Sequence, residues 1–222
     1  MKCWASNVSE CNGRQSKEHY ISQGLFSCKM IYVENAPFLD WVDNEISLKS
    51  LSKKCLCEKH NSELSNYDQS AVYFGNALKF CRDLFFQQQK NNISEARVHQ
   101  KNINREFFAR WFLKTYIGMS DFFLYEPEIS KNKLANLVYR SSSILKYVDL
   151  ELAMEENERF SVSEKVRVAP LEKLEKTVGM SVEFYGIRVQ GIFCEEPLDN
   201  LKKMEIQFVG NPNKESVIIS FV

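Results

Sequence analysis

The feature that most limits how this chain can fold is a Cys-x-x-His pair, Cys57 and His60 in "CLCEKHN" (55–61), at the mouth of a long helical pattern. That spacing lets two side chains from one tight turn meet a single Zn²⁺ ion. A tetrahedral structural site needs two more ligands, and Cys3 and Cys11 stand upstream with seven residues between them. Cys3, Cys11, Cys57 and His60 are therefore the expected zinc ligands. Cys55 falls one position out of phase with this turn and Cys28 sits in an apolar run, so both are read as core.

The compartment bears on that reading. Seven cysteines are an odd number, and the start "MKCWASNVSEC" lacks the basic-then-apolar order of a signal peptide. No window of eighteen apolar residues exists, so neither a membrane-spanning helix nor a membrane partner is expected. A cytoplasmic location follows as the default, where cysteines serve as metal ligands or small hydrophobes rather than disulfides.

With 222 residues, 44% of them hydrophobic, the chain can bury a proper core, and its 16 phenylalanines make that core aromatic-rich. Lys plus Arg equals Asp plus Glu at 29 each, so only the distribution of charge can inform on partners. Residues 49–120 carry a basic surplus and residues 149–205 an acidic one. The basic stretch, with Lys79, Arg82, Lys90, Arg97, Lys101, Arg105 and Arg110, could follow a phosphate backbone or be solvated helix faces.

Short segments broken by polar turns fill the first sixty residues, with "FSCKMIYVE" (26–34) strand-like. From Asn61 the periodicity of Leu64, Tyr67, Ala71, Phe74, Leu78, Cys81 and Phe85 predicts a helix of some six turns, with Asn61 and Ser62 as N-cap candidates. "QQQKNNIS" (87–94) ends it. "NREFFARWFLKTYIGMS" (104–120) is a second amphipathic helix, and "SKNKLANLVYRSSSILKYVDLELAMEE" (130–156) adds one or two helical pieces. His99 is read as a solvated helix residue and Asp68 as a surface charge or a group behind the site. Beyond about residue 160, "FSVSEKVRVA", "MSVEFYGIRVQGIFC", "MEIQFVG" and "SVIISFV" are strand-like, with "GNPNK" (210–214) a turn.

One further pairing stands out. Glu18 and His19 in "EHYIS" form an acid–imidazole dipeptide followed by apolar residues, and Asn61 directly follows the last zinc ligand in "LCEKHN". An acid-His pair on a first strand, a variable hairpin, a second knuckle and then His or Asn opening a helix resembles the HNH endonucleases, the ββα-metal nuclease group. The resemblance covers about residues 1–75. It implies that His19 is the general base, that Glu18 and Asn61 are oxygen ligands of a catalytic Mg²⁺ or Mn²⁺, and that the zinc is purely structural. The family's middle Asn has no counterpart in "EISLKSLSKKCLC" (45–57), where Ser50, Ser52 or a backbone carbonyl is left to orient the imidazole. The family's usual proline is Ser22 here.

The expected architecture is α+β: an N-terminal zinc-stapled ββα-metal module in residues 1–90, then a helical middle and a C-terminal antiparallel β portion in residues 91–222. The expected function is a metal-dependent endonuclease hydrolysing phosphodiester bonds, of DNA rather than RNA. The alternative is a catalytically silent zinc-binding module that grips nucleic acid or protein, and a third option is a structural subunit of a larger complex. The β portion could dock a partner protein or a second copy of the chain.

Overall fold

A computed structural model describes residues 3–25, 29–33, 45–88, 97–153, 166–199, 204–209 and 215–222. Cys28, Lys90, the 210–214 turn and the Arg97 side chain lie outside that description. The fold is mixed α+β. A short antiparallel pair joins β1 (Gln15–His19) to β4 (Ser52–Cys57), with His19 opposite Ser52 and Gln15 opposite Cys57. Between them the chain leaves for another sheet, contributing β2 (Met30–Val33) and β3 (Glu45–Ser47).

Cys57 ends β4 and begins α1 (Glu58–Glu63), which a turn at fully buried Leu64 separates from α2 (Ser65–Gln88). The N-cap expected at Asn61 or Ser62 is instead Cys57, four residues before Asn61. The reason is local: Cys57 Sγ accepts the His60 N–H at 3.5 Å, so the cysteine takes the N-cap role and Asn61 stands inside the first turn. The 24-residue α2 otherwise follows the apolar spacing that its sequence predicts.

Next come β5 (Arg97–Ile103), α3 (Arg105–Met119), α4 (Lys131–Tyr139) and β6 (Val148–Ala153). Two expectations change here. His99 belongs to a strand, half-buried edge-on to Phe80 at 5.1 Å. Residues 148–153 are a strand rather than part of a helix, since buried Val148 and Leu150 alternate with Asp149 and Glu151.

The remaining strands are β7 (Val166–Lys173), β8 (Lys176–Phe184), β9 (Ile187–Phe193), β10 (Glu205–Val209) and β11 (Glu215–Phe221). A six-stranded sheet runs β3-β2-β7-β8-β9-β6, and a three-stranded one runs β10-β11-β5. The β portion is thus not purely antiparallel: β2 pairs β7, and β11 pairs β5, in parallel. Strands from early in the chain fill those positions, reached through long crossovers as parallel pairing requires.

Helix α3 is the centre of the molecule, buried at every residue from Phe108 to Met119. It packs Phe108 on Phe74 of α2 (5.0 Å), and Tyr116 on Phe193 of the large sheet (4.5 Å), within an aromatic core. The charges on α3 are buried too. Arg110 donates to the carbonyls of Leu137, Val138 and Ser141 at the end of α4 and pairs with Glu106, so it is a structural group and not part of a phosphate-binding face. Elsewhere in the basic stretch, Arg82 pairs with Asp83 and lies over the Tyr185 ring, and Lys101 covers Phe80.

Gly118 brings α3 against the end of β1. A Cβ placed there would stand 2.3 Å from Tyr20 Cδ1, and Tyr20 is itself buried. Ala raises helix propensity by about 1 kcal/mol over Gly, but overpacking a closed core costs about 1–3 kcal/mol. Gly118→Ala should therefore lower stability by up to about 2 kcal/mol in urea unfolding, and a gain in stability would show that the contact with Tyr20 is slack.

Candidate metal centre and adjoining cleft

The N-terminal segment reaches Cys57 and His60 by running along β4. Trp4 donates its N–H to the Cys55 carbonyl at 3.0 Å, two tight turns follow (Ser6 to Cys3, Val8 to Ala5), and Glu58 donates back to the Arg14 carbonyl. Ala5 and Val8 are buried under this wrap. Cys11 comes back across it to the start of α1, where His60 projects one turn beyond Cys57.

The four expected ligands converge. His60 Nδ1 stands 3.2 Å from Cys57 Sγ, 3.4 Å from Cys3 Sγ and 3.8 Å from Cys11 Sγ. All four ligand atoms lie within 4.8 Å of one another. Tetrahedral bonds of about 2.3 Å to sulfur and 2.0 Å to nitrogen separate those atoms by roughly 3.6 Å. The Cys₃His set therefore fits a metal ion such as zinc. Cys55, half-buried against the core, takes no part in it.

The neighbours favour ligation by neutral imidazole. Burial pulls the His60 pKa below its ordinary value and Lys59 adds to the effect, against the pull of Glu63. Its other nitrogen, Nε2, meets Ser9 Oγ at 2.8 Å, which directs Nδ1 to the thiols. Lys59 Nζ donates to the same hydroxyl and to the Glu10 carbonyl, both at 3.1 Å. Tyr139 from α4 closes the site, donating to the His60 carbonyl at 2.9 Å with its ring edge-on to the imidazole. The Cys11 thiol is pushed up to about 11, first by desolvation and then by Cys3 and Cys57. Cys57 moves the other way: burial pushes its thiol up, but the His60 and Asn12 N–H groups and then the Cys11 and Cys3 thiols outweigh it and hold the pKa below its ordinary value.

The same β1–α1 junction walls a cleft of about 460 Å³, lined by Lys17, Glu18, His19, Ser22, Asn61 and Asp68 among others. Glu18, His19 and Asn61 thus share one cavity. Asn61 donates through Nδ2 to Ser16 Oγ at 2.8 Å, leaving its carbonyl oxygen as an acceptor. His19 is half-buried; burial lowers its pKa and the charges of Lys17 and Lys114 lower it further, with Asp68 opposing. Its Nδ1 is buried without a hydrogen-bond partner among the described residues. Ser50 and Ser52 give their hydroxyl hydrogens to the carbonyls of Ser47 and Lys49, so neither orients the imidazole.

Two groups beyond the expected set support these residues: Asp68 in the lining and Lys114 behind it. Lys114 of α3, 2% exposed, contacts Glu18 Oε1 at 2.5 Å, Asp68 Oδ1 at 2.9 Å and the His19 carbonyl at 3.0 Å. Asp68 is not a plain surface charge: it also accepts from Ser22, whose oxygen accepts from Trp111 Nε1 at 2.9 Å. Burial alone would pull the Lys114 ammonium down, but Glu18 and then Asp68 outweigh it and hold the pKa above the ordinary lysine value. No local sequence pattern marks Lys114, because its partners Glu18 and Asp68 are brought to it from β1 and α2, far back along the chain. Asp68 had a signal, two helical turns past Asn61 on one face.

No family model, no curated protein and no solved structure matches the chain, and among the described residues no helix is long and apolar enough to cross a membrane.

Two outcomes follow from this geometry. Zn²⁺ added to the metal-free protein at pH 7 should bind with release of more than one proton per ion, read by calorimetry in buffers of different ionisation enthalpy; binding without proton release would contradict thiolate ligation. Lys114→Met should cost about 3–5 kcal/mol in denaturant unfolding, because it leaves the Glu18 carboxylate buried and unpaired. The charge-balanced pair Lys114→Met/Glu18→Gln should lose markedly less, and equal losses would show that the ion pair is not the source.

Proposed function

We propose that the chain is a metal-dependent phosphodiesterase acting on nucleic acid, DNA in preference to RNA, built on a zinc-braced ββα-metal module of the HNH kind. The observation that carries this reading is the shared cleft: an imidazole, a carboxylate and a carboxamide at the adjoining ends of β1 and α1, beside a Cys₃His centre. The β1–β4 pair followed by α1 supplies the strand–strand–helix order that such a module needs.

His19 acts as the general base. Its lowered pKa keeps the imidazole neutral at pH 7, so it can accept a proton from the attacking water. Glu18, Asn61 and Asp68 provide the hard oxygen ligands that suit Mg²⁺ or Mn²⁺. The ammonium engages Glu18 through Oε1. A carboxylate has two oxygens, so Glu18 can serve Lys114 and a cation together. When bound, the cation would stabilise the charge gathering on the phosphoryl oxygens and on the departing 3′ oxygen. Lys17 at the cleft offers a charge to the phosphate backbone.

A second reading, a silent nucleic-acid-binding module, is favoured by one observation: Lys114 already neutralises Glu18. Incubation of plasmid DNA with Mg²⁺ or Mn²⁺ separates the two. Cleavage is expected, with His19→Ala reducing the rate about 10²- to 10⁴-fold. The acid limb of the rate profile should fall below pH 6.5, since a base of lowered pKa loses activity only as pH drops through that value. Cleavage undiminished in His19→Ala removes the base assignment. DNA binding at low salt with no cleavage under either metal favours the silent module.

A further inference from the structure

We propose that Lys114 is the positioning residue for His19, an internal cation that aims the imidazole in place of an orienting side chain from the hairpin. The inference rests on the reading of His19 as the base and adds to it a residue 95 positions away in the chain.

The three N–H bonds of the ammonium have three acceptors, and two of them belong to the base's own segment. One is the main-chain carbonyl of His19 and another the carboxylate of its neighbour Glu18. The third, Asp68, comes from α2. The end of β1 is thereby tied to α3 and to α2 at the residue that carries the imidazole. Ser22, three residues further on, joins the same network through Asp68 and Trp111. A purely structural ion pair needs the two carboxylates only; the bond to the His19 carbonyl fixes the backbone from which the imidazole projects.

The setting makes this anchor stiff. Lys114 is almost fully buried on a helix whose neighbouring turns are closed in the core, and Gly118, one turn on, lets the helix come up against Tyr20. The hairpin supplies no substitute, because the hydroxyls of Ser50 and Ser52 are directed to backbone carbonyls and His19 Nδ1 has no partner among the described residues.

The chain has only three histidines, at 19, 60 and 99, so the ring carbon–proton signal of each can be assigned by single substitution in a ¹³C NMR spectrum of the zinc-loaded protein. In Lys114→Met the His19 signal is expected to shift and to broaden or split, while those of His60 and His99 hold their places and report an intact fold. Where Lys114→Met fails to fold, Lys114→Met/Glu18→Gln compared with Glu18→Gln alone applies the same test without an unpaired buried carboxylate. A His19 signal that stays sharp and unmoved in these variants overturns the proposal.

The kinetic arm expects kcat for plasmid cleavage to fall about a hundredfold in Lys114→Met with KM within about threefold, the loss that a misplacement of roughly 1 Å can produce. An unchanged kcat in the folded variant overturns the proposal while leaving the nuclease reading in place. If the wild-type protein never cleaves, the nuclease reading fails, and the NMR arm still decides whether Lys114 holds His19.

Discussion

The convergence of three thiols and one imidazole between residues 3 and 60 is the constraint on which the N-terminal part of the molecule depends. The segment from Cys3 to Cys11 has no regular secondary structure, and the β1–β4 pair is a two-stranded ribbon of the kind that is marginal on its own in water. What gathers them is the cluster at the β4–α1 joint. Cys57 closes a strand, caps a helix and faces the other ligands, so one residue sets the strand end, the helix start and the metal geometry together. Asn61 follows directly and is brought to the cleft wall by the same turn.

Helix α3 ties that small assembly to the rest. Two buried cations four residues apart point to two different tasks. Arg110 holds the end of α4, which delivers Tyr139 to His60, and Lys114 holds the floor of the cleft. Each is surrounded by acceptors that compensate for its removal from water, which a buried charge requires. The metal centre and the cleft are therefore braced from behind by one helix whose own position is set by aromatic packing on both sides.

Much of this was legible along the chain. The Cys-x-x-His spacing pointed to the cluster, and the apolar period marked α2 and α3 almost to their ends. The β character of the stretches beyond residue 160 marked the late strands. Missing was whatever depends on distant partners. Lys114 looks like any helical lysine until β1 and α2 are folded against it. His99 lies in a parallel pairing with β11, more than a hundred residues away, and no local pattern signals that. The start of α1 was displaced because a cysteine sulfur, not the more usual Asn or Ser, caps the helix. Residues 148–153 did carry a readable sign, since Val148 and Leu150 alternate with acids, but the helix-forming composition of the stretch obscured it. The acid–imidazole dipeptide and the Asn after the second knuckle do share a cleft; their chemistry is the subject of the nuclease proposal.

The central physical claim is that one thiolate-bound ion joins the start of the chain to the β4–α1 turn. X-ray absorption at the zinc edge of the purified protein tests it most directly. The account expects one zinc per chain with three sulfur neighbours at about 2.3 Å and one nitrogen at about 2.0 Å. A zinc shell made of oxygen and nitrogen alone, or protein purified without stoichiometric metal and unable to take it up, would contradict it.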